Sequence, residues 1–208
     1  MARHRVIQYF RFFPNGVVEV LLRLARKFRP VRERVRPGEF GDYVEREHVA
    51  RYQFATRFCR NMRVADIACG TGYGMHILRT VAVEVDGFDK EPLCGNFVID
   101  LEKTSWEREY DVIVSFETIE HLSNPEFFVE NAWKTAKELI VSSPIGELRG
   151  YNGFHKQTWQ TEEFQALLEA RFECEYYSQE GEEIRPGLIR PVGFLIAVCK
   201  PKPARTIP

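Results

Sequence analysis

Residues 64–74, VADIACGTGYG, set three glycines at alternate positions directly behind a short apolar run. A strand that enters such a turn and continues as a helix allows close approach to the backbone. Glycine removes the Cβ and reaches positive φ without steric cost, and the first N–H groups of the helix have no intrahelical partner. A ligand resting on those donors is one reason for the pattern. A tight strand-to-helix packing contact is the other, and the surrounding chain has to decide between them.

Strand-like and helix-like segments alternate on both sides of the turn. EREHVARYQFATRFCRN (45–61) has helical periodicity, with Ala50, Phe54 and Phe58 on one side. RVADIA (63–68), AVEVDGFD (82–89), NFVID (96–100), YDVIVSFE (110–117) and ELIVSSP (138–144) read as strands, and 73–79, 125–137 and 161–170 as helices. This rhythm predicts a mostly parallel sheet with helices on both faces. FECEYYSQE (172–180) and PVGFLIAVCKP (191–201) follow with no helix between them, which predicts an antiparallel pair. The expected fold is α/β: a doubly wound, seven-stranded, mostly parallel Rossmann-like sheet with an antiparallel C-terminal strand pair. Ligands of such sheets bind beyond the carboxyl ends of the strands, where strand order reverses, and the glycine turn belongs at such an end.

Spacing narrows the ligand. A dinucleotide fingerprint is G-x-G-x-x-G, but here Gly70-x-Gly72-x-Gly74 puts Met75 where the third glycine belongs. Asp66, four residues before Gly70, would repel a pyrophosphate and attract an ammonium group; its local alternative is to cap the turn. An NAD-dependent oxidoreductase is therefore disfavoured.

With VDGFDKEP (85–92), FVIDLE (97–102) and YDVIVSFETIEHLSNPEFFVEN (110–131), the turn resembles the motifs of class I S-adenosylmethionine-dependent methyltransferases, in order, from about Glu45 to Pro201. The resemblance implies S-adenosylmethionine as cofactor. It places Asp66, Ala68, Gly70 and Gly72 at the cofactor turn. Asp89, with Lys90 beside it, accepts from the ribose hydroxyls; Asp100, followed by Leu101, accepts from the adenine amino group; Phe116 and Glu117 line the pocket. The chain departs from the family where only KEPLCG separates the second and third strands, in place of a helix. The adenine side should be more open there.

For the reaction, His121 in ETIEHL is the first base candidate, its alternative being to pack the loop. IGELRGYNGFHKQTWQTEEF (145–164) resembles the family's N-P-F-H-x-x-x-[WY] segment, with Gly153 replacing proline. His155 there is a second base or a donor that orients the acceptor. Tyr151, Phe154 and Trp159 either stack on a ring or sugar face or pack the loop, and Thr161 is the expected cap of the following helix. Glu117, Glu120 and His121 form E-x-x-E-H, which resembles a metal-binding trio in ubiquinone-pathway O-methyltransferases. Many relatives that share IEHL are not known to need a metal, so a metal ion is the less favoured of the two readings and none is assigned here.

Charge is distributed unevenly. Residues 1–36 hold ten of the 29 Lys/Arg and two of the 30 Asp/Glu, leaving 19 basic against 28 acidic residues in the rest. Val17, Val20, Leu21, Leu24 and Phe28 fall on one stripe of a helix, and 29–41 reads as a linker. Residues 1–41 are thus an arm and linker, 42–201 the cofactor-binding domain and 202–208 a tail. The arm either packs on the domain or rests on an anionic membrane surface through 1–36. VVEVLLRLA (17–25) is too short and too charged to span a membrane. Five scattered cysteines, 59, 69, 94, 174 and 199, argue against a disulfide framework and suit a reducing compartment. The expected function is O-methylation of a small molecule or a saccharide or lipid-linked glycan precursor, in the cytoplasm or at the inner membrane face. A non-catalytic module that only binds the cofactor is the alternative. The acidic body disfavours nucleic acid as a partner.

Overall fold

The computed structural model describes residues 42–148, 150, 152–188 and 193–203. The helix read at 17–28, the linker 29–41 and Tyr151 lie outside the described residues. Helix α1 (Asp42–Cys59) leads into β1 (Arg63–Ile67), α2 (Tyr73–Leu78), β2 (Glu84–Asp89), β3 (Phe97–Val98) and β4 (Tyr110–Phe116). A short 3-10 turn (Ile119–His121), α3 (Pro125–Thr135), β5 (Ala136–Pro144), α4 (Thr161–Glu169), β6 (Phe172–Glu180), β7 (Glu183–Pro186) and β8 (Phe194–Pro201) complete it.

The sheet runs β3-β2-β1-β4-β5-β8-β6-β7, with β1 to β5 mutually parallel and the β5–β8, β8–β6 and β6–β7 pairings antiparallel. Its eight strands are one more than expected. The addition, β7, is a short edge strand of mostly exposed residues joined to β6 through a turn at Gly181, too polar to stand out in the sequence. Both faces are covered, as the continuous burial of Val112 to Phe116 in β4 requires. Val112 and Val114 pack with Tyr52, Ala55, Met75 and Leu78 of α1 and α2. Ile113 packs with Phe128, Ala132, Phe164 and Leu168 of α3 and α4. Alternate residues of one strand thus serve opposite layers.

Local chemistry sets the element ends. Asn124 caps α3 by accepting from Phe127 N at 3.1 Å, with Pro125 in the first turn, where its missing N–H costs nothing. The cap of α4 is Gln160 and not Thr161: Gln160 N donates to Glu163 Oε2 at 2.9 Å, while Thr161 is buried as the first helical residue. Cys174 and Cys199 face each other in the β6–β8 register and are joined by a disulfide. This corrects the cysteine reading, which weighed number and spacing when cross-strand register decides the pairing. Among the described residues, no helix is long and apolar enough to cross a membrane.

Candidate active site

Strand order reverses between β1 and β4, so a crevice opens at their carboxyl ends. Ala68 and Glu117, the residues just after these two strands, adopt φ of 62° and 52°. Left-handed backbone is uncommon outside glycine and concentrates at functional sites. Both strands turn away sharply, leaving the crevice between them.

The glycines of the turn have different causes. Gly70 has φ +55, and a Cβ at this position would meet nothing within 4 Å, so the backbone there faces open space. Gly74 is a packing glycine: a Cβ would lie 2.1 Å from the Tyr52 ring, because α1 crosses α2 at that point. Gly72 begins α2 and packs against Cys94, whose Sγ lies 3.7 Å from that of Cys69. Ligand approach and helix packing, the two explanations for the glycine pattern, therefore apply to different residues of the same turn.

Asp66 is fully buried, accepts from Tyr52 Oη at 3.1 Å through Oδ1, and has no partner at Oδ2. Burial pushes its carboxyl up to about 7, with the Tyr52 hydrogen bond opposing and Asp89 adding to the rise. Asp89, at the end of β2, accepts from Gly70 N at 3.0 Å and Glu91 N at 3.1 Å. These two bonds hold the carboxylate against the glycine turn. Lys90 is exposed beside it. Asp100 lies on the open edge, where the Lys103 ammonium and the Glu102 N–H hold its carboxyl below the usual range. Leu101 packs on the core, and Phe116 is buried edge-on to Tyr52 at 5.0 Å. The absent helix leaves Leu93, Phe97 and Val98 exposed along this edge.

At the far side of the crevice, the 3-10 turn brings His121 to His155, with ring centroids 4.8 Å apart. His121 Nδ1 donates to Phe154 O at 3.1 Å, since a carbonyl only accepts, and the lone pair is then on Nε2. His155 Nδ1 meets the Glu147 carboxylate, and its Nε2 accepts from Asn152 Nδ2 at 2.8 Å. The Asn152 amide is oriented by Phe154 N, which donates to its Oδ1. Both nitrogens of His155 are thus engaged.

The E-x-x-E-H trio does not assemble as written. Glu120, His121 and His155 have ligand atoms within 4.8 Å of one another, while Glu117 accepts from Ser142 Oγ at 3.0 Å. One carboxylate and two imidazoles suit a first-row dication, but a dication would have to displace Asn152 or Glu147 from His155. Burial raises the carboxyls of both Glu117 and Glu120; Arg51 and Ser142 oppose the rise at Glu117. Glu120 is fully buried, with Oε2 accepting from Ser143 and its backbone carbonyl accepting from Lys156 N and Gln157 N, which pins the His155 loop.

Not every aromatic reaches the site. Phe154 is exposed next to His121, whereas Trp159 packs near Phe164 and lines a separate cavity of about 410 Å³ between α3 and α4. Sequence reasoning missed Arg51 and Tyr52, which sit on the buried side of α1 beside Ala50, Phe54, Ala55 and the likewise buried Glu47.

A family model described as a methyltransferase domain matches residues 33–144, just over half of the chain. The chain belongs to the class I S-adenosylmethionine-dependent methyltransferase family. S-Adenosylmethionine is the family's cofactor, and the open backbone at Gly70 and the acceptors at Asp66 and Asp89 fit it. A relative from Mycolicibacterium smegmatis, named "Probable S-adenosylmethionine-dependent methyltransferase", is 29% identical over 166 residues, 69% of this chain and 65% of that protein. The chain therefore spans slightly under two thirds of that relative's length. Among solved structures, a SAM-dependent methyltransferase from Thermotoga maritima superposes with a TM-score of 0.61 at 20% identity, covering 76% of this chain and 91% of the other. A DhpI–SAH complex gives 0.58 at 19%, covering 79% and 89%. At these identities the structural likeness establishes the fold alone.

Proposed function

We propose that this methyltransferase transfers a methyl group to a hydroxyl oxygen of a small molecule or a saccharide or lipid-linked glycan precursor, with His121 as general base. The observation that carries the reading is the His121–Phe154 hydrogen bond, which presents Nε2 as the basic nitrogen beside the cofactor crevice. S-Adenosylmethionine supplies a methyl carbon already activated on a positively charged sulfur. The protein has to hold that carbon in line with the acceptor oxygen, and orientation accounts for most of the acceleration. Asp89 and the Gly70 backbone fix the nucleoside end. His121 Nε2 takes the hydroxyl proton as the oxygen attacks, and His155, clamped by Glu147 and Asn152, holds the loop that carries Phe154 over the acceptor. No step requires a metal ion.

The test is transfer from labelled S-adenosylmethionine into a metabolite extract, with products read by mass as a gain of one CH2 unit. His121→Asn should lower turnover by about 10²-fold or more, the usual contribution of a general base, while affinity for S-adenosylhomocysteine stays the same. Undiminished turnover would exclude the base role and point to a nitrogen acceptor. Binding without transfer to any acceptor would favour a non-catalytic module.

A further inference from the structure

Three sulfur atoms converge behind the cofactor turn: Cys69 Sγ lies 3.7 Å from Cys94 Sγ, which lies 3.8 Å from Met75 Sδ. They come from separate parts of the chain. Cys69 follows β1, Met75 is in the first turn of α2, and Cys94 stands in the loop between β2 and β3. Two glycines make the room for them. A Cβ at Gly87 of β2 would lie 2.4 Å from Met75 Sδ and 2.9 Å from Cys69 Sγ, and one at Gly72 would lie 2.9 Å from Cys94 Sγ. The backbone that carries the two thiols is held in place. Cys69 N donates to Phe88 O at 3.0 Å, and Asn96 Oδ1 accepts from Leu93 N at 3.1 Å and Cys94 N at 3.3 Å. Cys69 and Met75 are buried while Cys94 is half-buried, so the Cys94 side is where an ion can enter.

The donor set is soft throughout. Metal–thiolate bonds of about 2.3 Å at trigonal angles hold sulfur atoms about 4 Å apart. Spacings of 3.7 and 3.8 Å therefore need little adjustment to close around one ion. Thiolate and thioether ligands favour copper(I), whereas zinc takes four ligands and commonly completes its shell with imidazole or carboxylate. Among the described residues, the one group of three His, Cys, Asp or Glu with ligand atoms close enough to share an ion is Glu120, His121 and His155. No imidazole or carboxylate thus joins the two thiols. We infer that Cys69, Cys94 and Met75 bind one copper(I) ion, which ties the loop standing in place of a helix to the cofactor turn. The two thiols release their protons to solvent as the sulfur–copper bonds form, and no electron is transferred.

The test is competition for copper(I) between the full-length protein and the chromophoric chelator bathocuproine disulfonate, without oxygen. Wild type should withhold one equivalent. Cys69→Ser and Cys94→Ser should each weaken binding at least about 100-fold, the upper figure for disturbing even an outer partner of a metal ligand. Met75→Leu nearly preserves volume and should weaken it about tenfold, the lower figure, so the outcome does not hang on whether the serine variants fold. Cys59→Ala should change nothing. X-ray absorption at the copper edge should report sulfur neighbours alone. No copper withheld by wild type, or unchanged affinity in the three site variants, would overturn the inference and leave the cluster as packing. Equal retention of zinc(II) would overturn the choice of ion. Nitrogen or oxygen in the copper shell would overturn the site and move the ion to Glu120, His121 and His155.

Discussion

Near pH 7 the carboxyl of Asp66 stands at its titration midpoint, because burial outweighs the hydrogen bond from Tyr52. Its value in the fold lies above its unfolded value of 3.8, so the folded state binds the extra proton. The stability this group contributes to the cofactor-free protein is fully present below about pH 4 and is lost as pH rises to about 7. Binding an ammonium requires the carboxylate form. Below about pH 7, cofactor binding should therefore release one proton, and S-adenosylhomocysteine affinity should fall about tenfold per pH unit on the acid side and level off above about 7. Calorimetry in buffers of different ionisation enthalpy checks this. A flat acid limb in wild type would contradict it, and Asp66→Asn should flatten the limb while weakening binding. Much at this scale was legible. The strand–turn–helix–strand pattern is enough to bring Asp66, Gly70 and Asp89 together at neighbouring strand ends, where Gly70 N meets Asp89. Arg51 was not legible, because helical periodicity records apolar positions and passes over a buried cation. Trp159 could not be placed either, since the course of its loop decides whether it faces the crevice or the α3–α4 cavity.

The crossing of α1 over α2 is set by Gly74, and it links the cofactor turn to the packing of the whole layer. Gly74→Ala would drive a methyl into the Tyr52 ring, and overpacking of this kind destabilises by about 1–3 kcal/mol. The midpoint of urea unfolding should drop without a change in slope, and the cost should largely vanish in a Tyr52→Ala background. An equal loss in both backgrounds would mean that the contact does not set the crossing. The central strands β4 and β5 were readable because burial on both faces gives the apolar runs VIV and LIV at their centres. At the sheet edges the signal weakens. The strand expected at 96–100 contracts to Phe97–Val98, where β3 has a neighbour on one side only. The polar β7 has the same explanation at the opposite edge, and the Cys174–Cys199 pairing depends on a register that only the folded sheet defines.

Across the whole molecule, the basic residues of 1–36 contrast with an acidic remainder. If this segment holds the protein at an anionic membrane surface where lipid-linked acceptors lie, removing residues 1–36 should reduce association with vesicles containing anionic lipid. S-Adenosylhomocysteine affinity should stay unchanged, since Gly70, Asp66 and Asp89 lie beyond the deletion. Equal vesicle association would rule out the membrane role. The parallel order of β1 to β5 followed from the alternation of elements, but the insertion of β8 between β5 and β6 did not, because local pattern carries no information on which antiparallel strand lies inside. The most direct measurement is a crystal structure determined at saturating S-adenosylhomocysteine. It should show the nucleoside lying across Gly70, with both ribose hydroxyls within hydrogen-bonding distance of the Asp89 carboxylate. An empty crevice, or a ligand bound away from Asp89, would contradict the account.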